Sequence, residues 1–209
     1  MDFDLWLTFV AASTALLLIP GPTVLLVLSY ALSKGRSVAV ASATGVALGD
    51  LIAMTASLAG LGALVLTSAT LFVALKWVGA VYLVWLGIKL IRSAPSGGLD
   101  MPQSSDVTGQ QVLLHTAAVT ALNPKSIAFF IAFVPQFIRP ESPLLVQFAI
   151  LTGTFVGLAA VNAFAYALLA DRLRSVISRP SIITWITRTG GIALITMGVL
   201  TATLRRSTA

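Results

Sequence analysis

Cysteine is absent from the 209 residues, and His115 is the only histidine. Without thiols the chain has no disulfides, thiolate metal ligands or thiol redox chemistry, and one imidazole cannot build a His-rich metal site. No metal site and no cofactor are therefore expected. Charge is scarce too. Lys and Arg number 13 and Asp and Glu 7, together 10% of the chain, against 57% hydrophobic residues. A soluble domain carries about 25% charged residues, so these side chains cannot cover a soluble surface. Disorder is excluded from the other direction, by the excess of apolar material. The mean hydropathy of +0.98 points to a polytopic, all-α membrane protein. The net charge of +6 then reads as orienting charge in loops, with no nucleic-acid partner.

The opening Met1-Asp2-Phe3-Asp4 lacks the positive n-region of a cleaved signal peptide, and the apolar run after it is too long for an h-region. That run, Leu5 to Ser33, is uncharged and longer than the roughly 20 residues a span needs. Five more spans follow: about Val38–Leu66, Leu71–Ile91, Val112–Ile138, Ser142–Ala170 and Ile182–Leu204. Ser93 to Gln111, rich in Pro, Gly, Ser and acids, reads as the longest loop. With the N-terminus outside, the inner side holds Lys34, Arg36, Lys89, Arg92, Arg172, Arg174 and Arg179, and the outer side Arg139, Arg205 and Arg206. That asymmetry places both termini outside and the 93–111 loop in the cytoplasm.

Two sets of three spans echo one another. Thr44-Gly45 with Gly49 in the second span matches Thr152-Gly153 with Gly157 in the fifth. Gly79 and Gly87 in the third match Gly190 and Gly198 in the sixth. The first and fourth each carry a mid-span proline break, Pro20-Gly21-Pro22 and Asn123-Pro124. Three spans per unit forces the second unit, 112–209, to enter from the side opposite to the first, 1–92. Inverted-topology repeats of this kind mark secondary transporters.

Prolines at mid-span remove backbone donors, and the freed carbonyls are tolerated at membrane depth only against protein or a water-lined cavity. A simple structural kink is the alternative. Lys125 in the fourth span and Asp50 in the second sit too deep to snorkel, at a cost of about 2.5–3.5 kcal/mol each on insertion scales. Such charges are functional sites by default, the alternative being a buried Asp50–Lys125 pair with an architectural role. Thr23, Asn123 and Asn162 add polar groups near the same depth, either for substrate or for interhelical hydrogen bonds. Gly45, Gly49, Gly153 and Gly157 form small-xxx-small patterns suited to close packing. Trp6, Trp77 and Trp185 read as interface anchors, and His115 as an interfacial residue near the inner end of its span.

The opening span with Pro20-Gly21-Pro22, the Gly45-x3-Gly49-Asp50 stretch, the Gly79/Tyr82/Leu83/Gly87 spacing and Asn123-Pro124-Lys125 resemble the lysine exporter (LysE) family, more narrowly its homoserine/threonine (RhtB-type) branch. The resemblance covers nearly the whole chain. It implies export of amino acids or close derivatives across a bacterial inner membrane by exchange for protons. On that basis Pro20, Gly21, Pro22, Gly45, Gly49, Asn123, Pro124 and Lys125 are expected to bind substrate, with Thr23 and Asn162 added by their depth, and Asp50 to couple protons or contact the substrate ammonium. Homo-oligomerisation is left open. The competing classes are a divalent-cation exporter, which would be expected to show metal-ligand tracts, and a non-transporting scaffold, which has little use for charges at mid-depth. A thiol-based electron carrier is excluded by the missing cysteines.

Overall fold

The structure is a computed structural model that describes residues 1–19, 21–34, 36–67, 69–92, 107–139, 142–177 and 180–203. Among these residues there is no β-strand. The elements are α1 (Phe3–Leu18), α2 (Pro22–Lys34), α3 (Arg36–Thr67), α4 (Ala69–Arg92), α5 (Gly109–Ala121), α6 (Pro124–Ala132), a 3-10 turn (Val134–Phe137), α7 (Leu144–Ile177) and α8 (Pro180–Thr203).

Both proline motifs stop one helix and start another. Ile19, just before Pro20, is extended (φ −71°, ψ 115°), as the residue before a proline is biased to be. Pro22 then opens α2, where its missing N–H and fixed φ cost nothing. Asn123 repeats the arrangement, with extended backbone and Pro124 at the first position of α6. The pair α1/α2 bends by 58° and the pair α5–α6 with the 3-10 turn by 45°. Pro20 itself lies outside the described residues, as does most of the loop at 93–106. α5 begins with a capping box: the Thr108 hydroxyl accepts from the Gln111 N–H, and the Gln111 side chain accepts from the Thr108 N–H.

Three stretches, Val38–Gly62, Val73–Arg92 and Leu144–Ala170, are long and apolar enough to cross a membrane singly, and five crossings result if each bent pair counts as one. Six were expected. α8, the sixth apolar run, is a helix of 24 residues that is not among the crossings found in the described residues. At 1.5 Å per residue α3 and α7 are about 48 and 51 Å long, so both outreach the roughly 30 Å hydrocarbon core.

Packing follows the glycines. A Cβ on Gly45 would lie 2.5 Å from the Leu113 carbonyl oxygen, and one on Gly49 2.5 Å from that of Ala117, so α5 lies backbone to backbone on α3. Gly87 and Gly191 approach each other's carbonyl oxygens in the same way, at 2.5 and 2.6 Å. Gly198 meets Ala80 and Val84, while Gly87 meets Gly191 and Ile195, so α4 and α8 run antiparallel. A shift of 111 positions that carries Gly87 to Gly198 also carries Ala80 to Gly191 and Val84 to Ile195. The contact is thus its own counterpart under that shift. In lipid, where apolar burial drives little association, small residues that admit close backbone approach are what hold such pairs together.

On the side of the breaks that holds the N-terminus, Phe9, Phe129, Phe133, Phe137, Phe130 and Phe155 form one buried cluster. Phe130 and Phe155 pack edge-on with ring centres 4.8 Å apart, as do Phe9 and Phe137 at 5.2 Å. Nearby, Arg139 pairs with Asp2, and the Trp6 indole donates to Thr154 at 3.0 Å.

Candidate transport site

The last carbonyls of an α-helix have no partner within the helix. At the end of α1 each finds a side chain. Lys125 Nζ donates to Leu16 O at 3.1 Å and to Ile19 O at 2.9 Å. Asn162 Nδ2 donates to Leu17 O at 3.1 Å, and the Tyr166 hydroxyl to Leu18 O at 3.4 Å. A full positive charge thus rests against the negative end of a helix dipole. Apart from the Ile19 N–H, which donates back to Leu16 O at 3.3 Å, these donors come from α6 and α7.

The facing break is stitched differently. Asn123 Oδ1 accepts from the Lys125 backbone N–H at 3.0 Å and so caps α6. Its Nδ2 donates to Thr23 Oγ1 at 3.1 Å, which also receives the Thr120 hydroxyl at 3.5 Å. Thr23 stands in the first turn of α2. The N-termini of α2 and α6 therefore meet through one amide and one hydroxyl.

Between them lies a cavity of about 30 Å³, lined by Leu16, Gly21, Thr23, Asp50, Asn123, Lys125, Ser126, Asn162 and Tyr166, with aliphatic side chains of α2, α3 and α7. Asp50 is 2% exposed, and its Oδ1 has no hydrogen-bond partner among the described residues. Asp50 and Lys125 share the cavity without forming a direct ion pair, so the architectural pair weighed on the sequence is not what the structure contains. A water needs about 10–15 Å³ of such space. The cavity holds about two waters and is too small for an amino acid.

Of the residues singled out in sequence, Gly21, Thr23, Asp50, Asn123, Lys125 and Asn162 come together here. Pro22 and Pro124 start the helices that meet there, and Pro20 is not described. Gly45 and Gly49 are on the neighbouring face of α3 against α5, while Val46 and Asp50 on the same helix face the cavity. Tyr166 was not singled out. It follows Asn162 by four positions, one helical turn along the same face, which is the signal that finds it. Among the described residues no three His, Cys, Asp or Glu side chains gather as metal ligands would. His115 accepts or shares a 2.8 Å hydrogen bond with the Tyr30 hydroxyl, away from the cavity.

Long apolar helices, with two bent helix pairs broken around charged and polar side chains, define a helical membrane protein with an internal polar site. The family profile described as LysE type translocator matches residues 14–205, and the chain belongs to that family. It is 35% identical over 208 residues to the homoserine/homoserine lactone efflux protein of Salmonella typhimurium, covering 99% of this chain and 100% of that protein. It is 36% identical over 207 residues to an uncharacterized membrane protein of Vibrio cholerae, covering 98% and 100%. A leucine efflux protein of Enterobacter sp. (strain 638) is 35% identical over 138 residues, 63% of this chain and 62% of that protein. No solved structure matches.

Proposed function

We propose that this chain exports an amino acid or a close derivative across the bacterial inner membrane in exchange for protons, as a secondary transporter and not an enzyme. The observation that carries the reading is the meeting of Asp50, Lys125, Thr23, Asn123 and Asn162 around one cavity where two broken helices face each other. Discontinuous helices of this kind frame the midplane sites of transporters. The efflux relatives support the direction of transport. Homoserine, homoserine lactone and leucine, named for two of them, share an α-amino group, and the lactone has no free carboxylate.

In this reading the bent pairs are the first and fourth of six spans, α8 is the sixth, and residues 1–92 and 112–209 are inverted repeats joined by a cytoplasmic loop at 93–111. The antiparallel, shift-related contact of α4 with α8 supports that arrangement. The count of Lys and Arg supports termini on the outside. The N-termini of α2 and α6 present the positive ends of their dipoles to the cavity, suited to a substrate carboxylate, with Thr23 and Asn123 beside them. Asp50 carries the coupled proton.

The test is export of a panel of radiolabelled amino acids from dipeptide-loaded cells with and without the protein. Faster efflux of at least one amino acid is expected, and identical efflux across the panel overturns the reading.

A further inference from the structure

The end of α1 already is a receptor for a primary ammonium group. Two carbonyl oxygens, those of Leu16 and Ile19, hold the Lys125 ammonium at 3.1 and 2.9 Å. The helix dipole that favours a cation there does not depend on which molecule supplies it. We propose that the substrate's own ammonium binds these carbonyls, and that Lys125 gives up the place by swinging to Asp50. The inference rests on the amino-acid export reading and says where the amino group of that substrate goes.

Three features of the cavity carry it. The first is the oxygen Asp50 Oδ1, which is buried, lines the cavity and has no hydrogen-bond partner among the described residues. A buried carboxylate oxygen left without a partner is costly. Lys125 is the one cation among the described residues lining the same cavity, yet it contacts carbonyls instead. Lysine thus has a second acceptor within its own pocket. The second feature is space. With the ammonium where it stands, about 30 Å³ remains, and Lys125 Nζ lies 3.4 Å from where a Cβ on Gly21 would be. A substrate ammonium reaches Leu16 and Ile19 only if Lys125 leaves. The third is charge. After the exchange one ammonium again rests on the carbonyls, so the end of α1 stays satisfied, and Lys125 gains a carboxylate partner.

The exchange links substrate to proton with atoms in balance. Asp50 accepts Lys125 as a carboxylate, so a protonated Asp50 gives its proton to water when the substrate enters. When Asp50 takes up a proton again, the Lys125 ammonium loses that partner, returns to Leu16 and Ile19, and displaces the substrate's ammonium. Proton and substrate then occupy the site in alternation. The titratable groups facing the cavity are Asp50, Lys125 and Tyr166, and the Tyr166 hydroxyl is engaged with Leu18 O.

The experiment is radiolabelled L-leucine and L-homoserine binding to the purified chain in lipid nanodiscs, with export measured in proteoliposomes. In the wild type, n-butylamine is expected to compete for the site, while butyrate and N-acetyl-L-leucine compete at least tenfold less well. Lys125→Met removes the resident ammonium and is expected to bind substrate as tightly as wild type or more tightly, yet not to export. Asp50→Asn takes away the acceptor for Lys125 and is expected to weaken binding about tenfold, a change of about 1.4 kcal/mol. Asp50→Asn combined with Lys125→Met is expected to bind within threefold of wild type, because no lysine then needs moving. Tenfold weaker binding by Lys125→Met, a double variant as weak as Asp50→Asn, or equal competition by N-acetyl-L-leucine overturns the exchange while leaving amino-acid export standing. The competition arm uses the wild-type chain and decides the matter even where a variant does not fold. A wild type that neither binds nor exports any amino acid overturns the functional reading and this inference together.

Discussion

Gly87 and Gly191 each lie against the other's carbonyl oxygen, so closely that a Cβ on either would stand 2.5 or 2.6 Å from it. One residue from each half of the chain thus shares a single backbone contact, and neither has room for even a methyl group. Because the obstructing atoms are backbone, no side chain can rotate out of the way. Gly87→Ala and Gly191→Ala should each destabilise the protein by about 1–3 kcal/mol through overpacking. Gly157→Ala is the internal control, since nothing lies within 4 Å of its Cβ position, and it should stabilise by about 0.5–1 kcal/mol from helix propensity. Thermal unfolding in detergent reads both signs.

Lys125→Ala should abolish export while the protein still reaches the membrane. Ile19 O loses its side-chain donor while Leu16 O keeps the Ile19 N–H, at about 1–3 kcal/mol for the carbonyl left unpaired. Lower thermal stability together with normal membrane abundance on immunoblots, and efflux no faster than in cells lacking the protein, is the expected combination. Near-normal export by this variant removes Lys125 from the mechanism.

Asp50→Asn keeps the shape of the side chain and removes its ability to hold and release a proton. Substrate-induced proton flux in proteoliposomes should disappear. If Asp50 served only to balance Lys125, the double variant Asp50→Asn with Lys125→Met would restore proton-coupled export, and that recovery is the result that refutes a coupling role.

Asn123→Ala should cost about 0.5–2 kcal/mol through loss of the α6 cap and should also cut the tie to Thr23. Asn123→Asp keeps the cap acceptor but cannot donate to Thr23. It should therefore recover most of the stability and little of the transport. Unfolding temperature and efflux, measured on both variants, separate the two roles of the one side chain.

The helical breaks were legible in the sequence because proline acts locally: it removes a donor and restrains the residue before it. Ile19 and Asn123 are extended where that rule puts them. Asp50, Lys125, Thr23, Asn123 and Asn162 could be grouped by depth alone, since each stands out in an apolar run. The partners of Lys125 could not be. They are the carbonyls of Leu16 and Ile19, backbone groups carried by every residue, so no residue type announces them. Tyr166 was hidden for another reason, because an aromatic near a span end reads as an anchor unless its register with Asn162 is checked. Gly45 and Gly49 read in sequence as close-packing residues as well as site residues, and α5 lies on them while the same helix sends Asp50 to the adjacent face. Six spans were expected from apolar runs; the described residues hold up to five crossings, and the sixth run is the 24-residue helix α8.

The two glycine pairs on the long helices are not treated alike. Gly45 and Gly49 on α3 are filled to contact by α5, while Gly153 and Gly157, their counterparts in the sequence repeat, face open space on α7. In the proposed repeat the counterpart of α5 is α1, whose Ala11 and Ala15 are also exposed. Among the described residues, a methyl group at Gly45 or Gly49 would therefore meet backbone, while one at Gly153 or Gly157 would meet nothing, so the two long helices differ in how freely their small residues can be replaced.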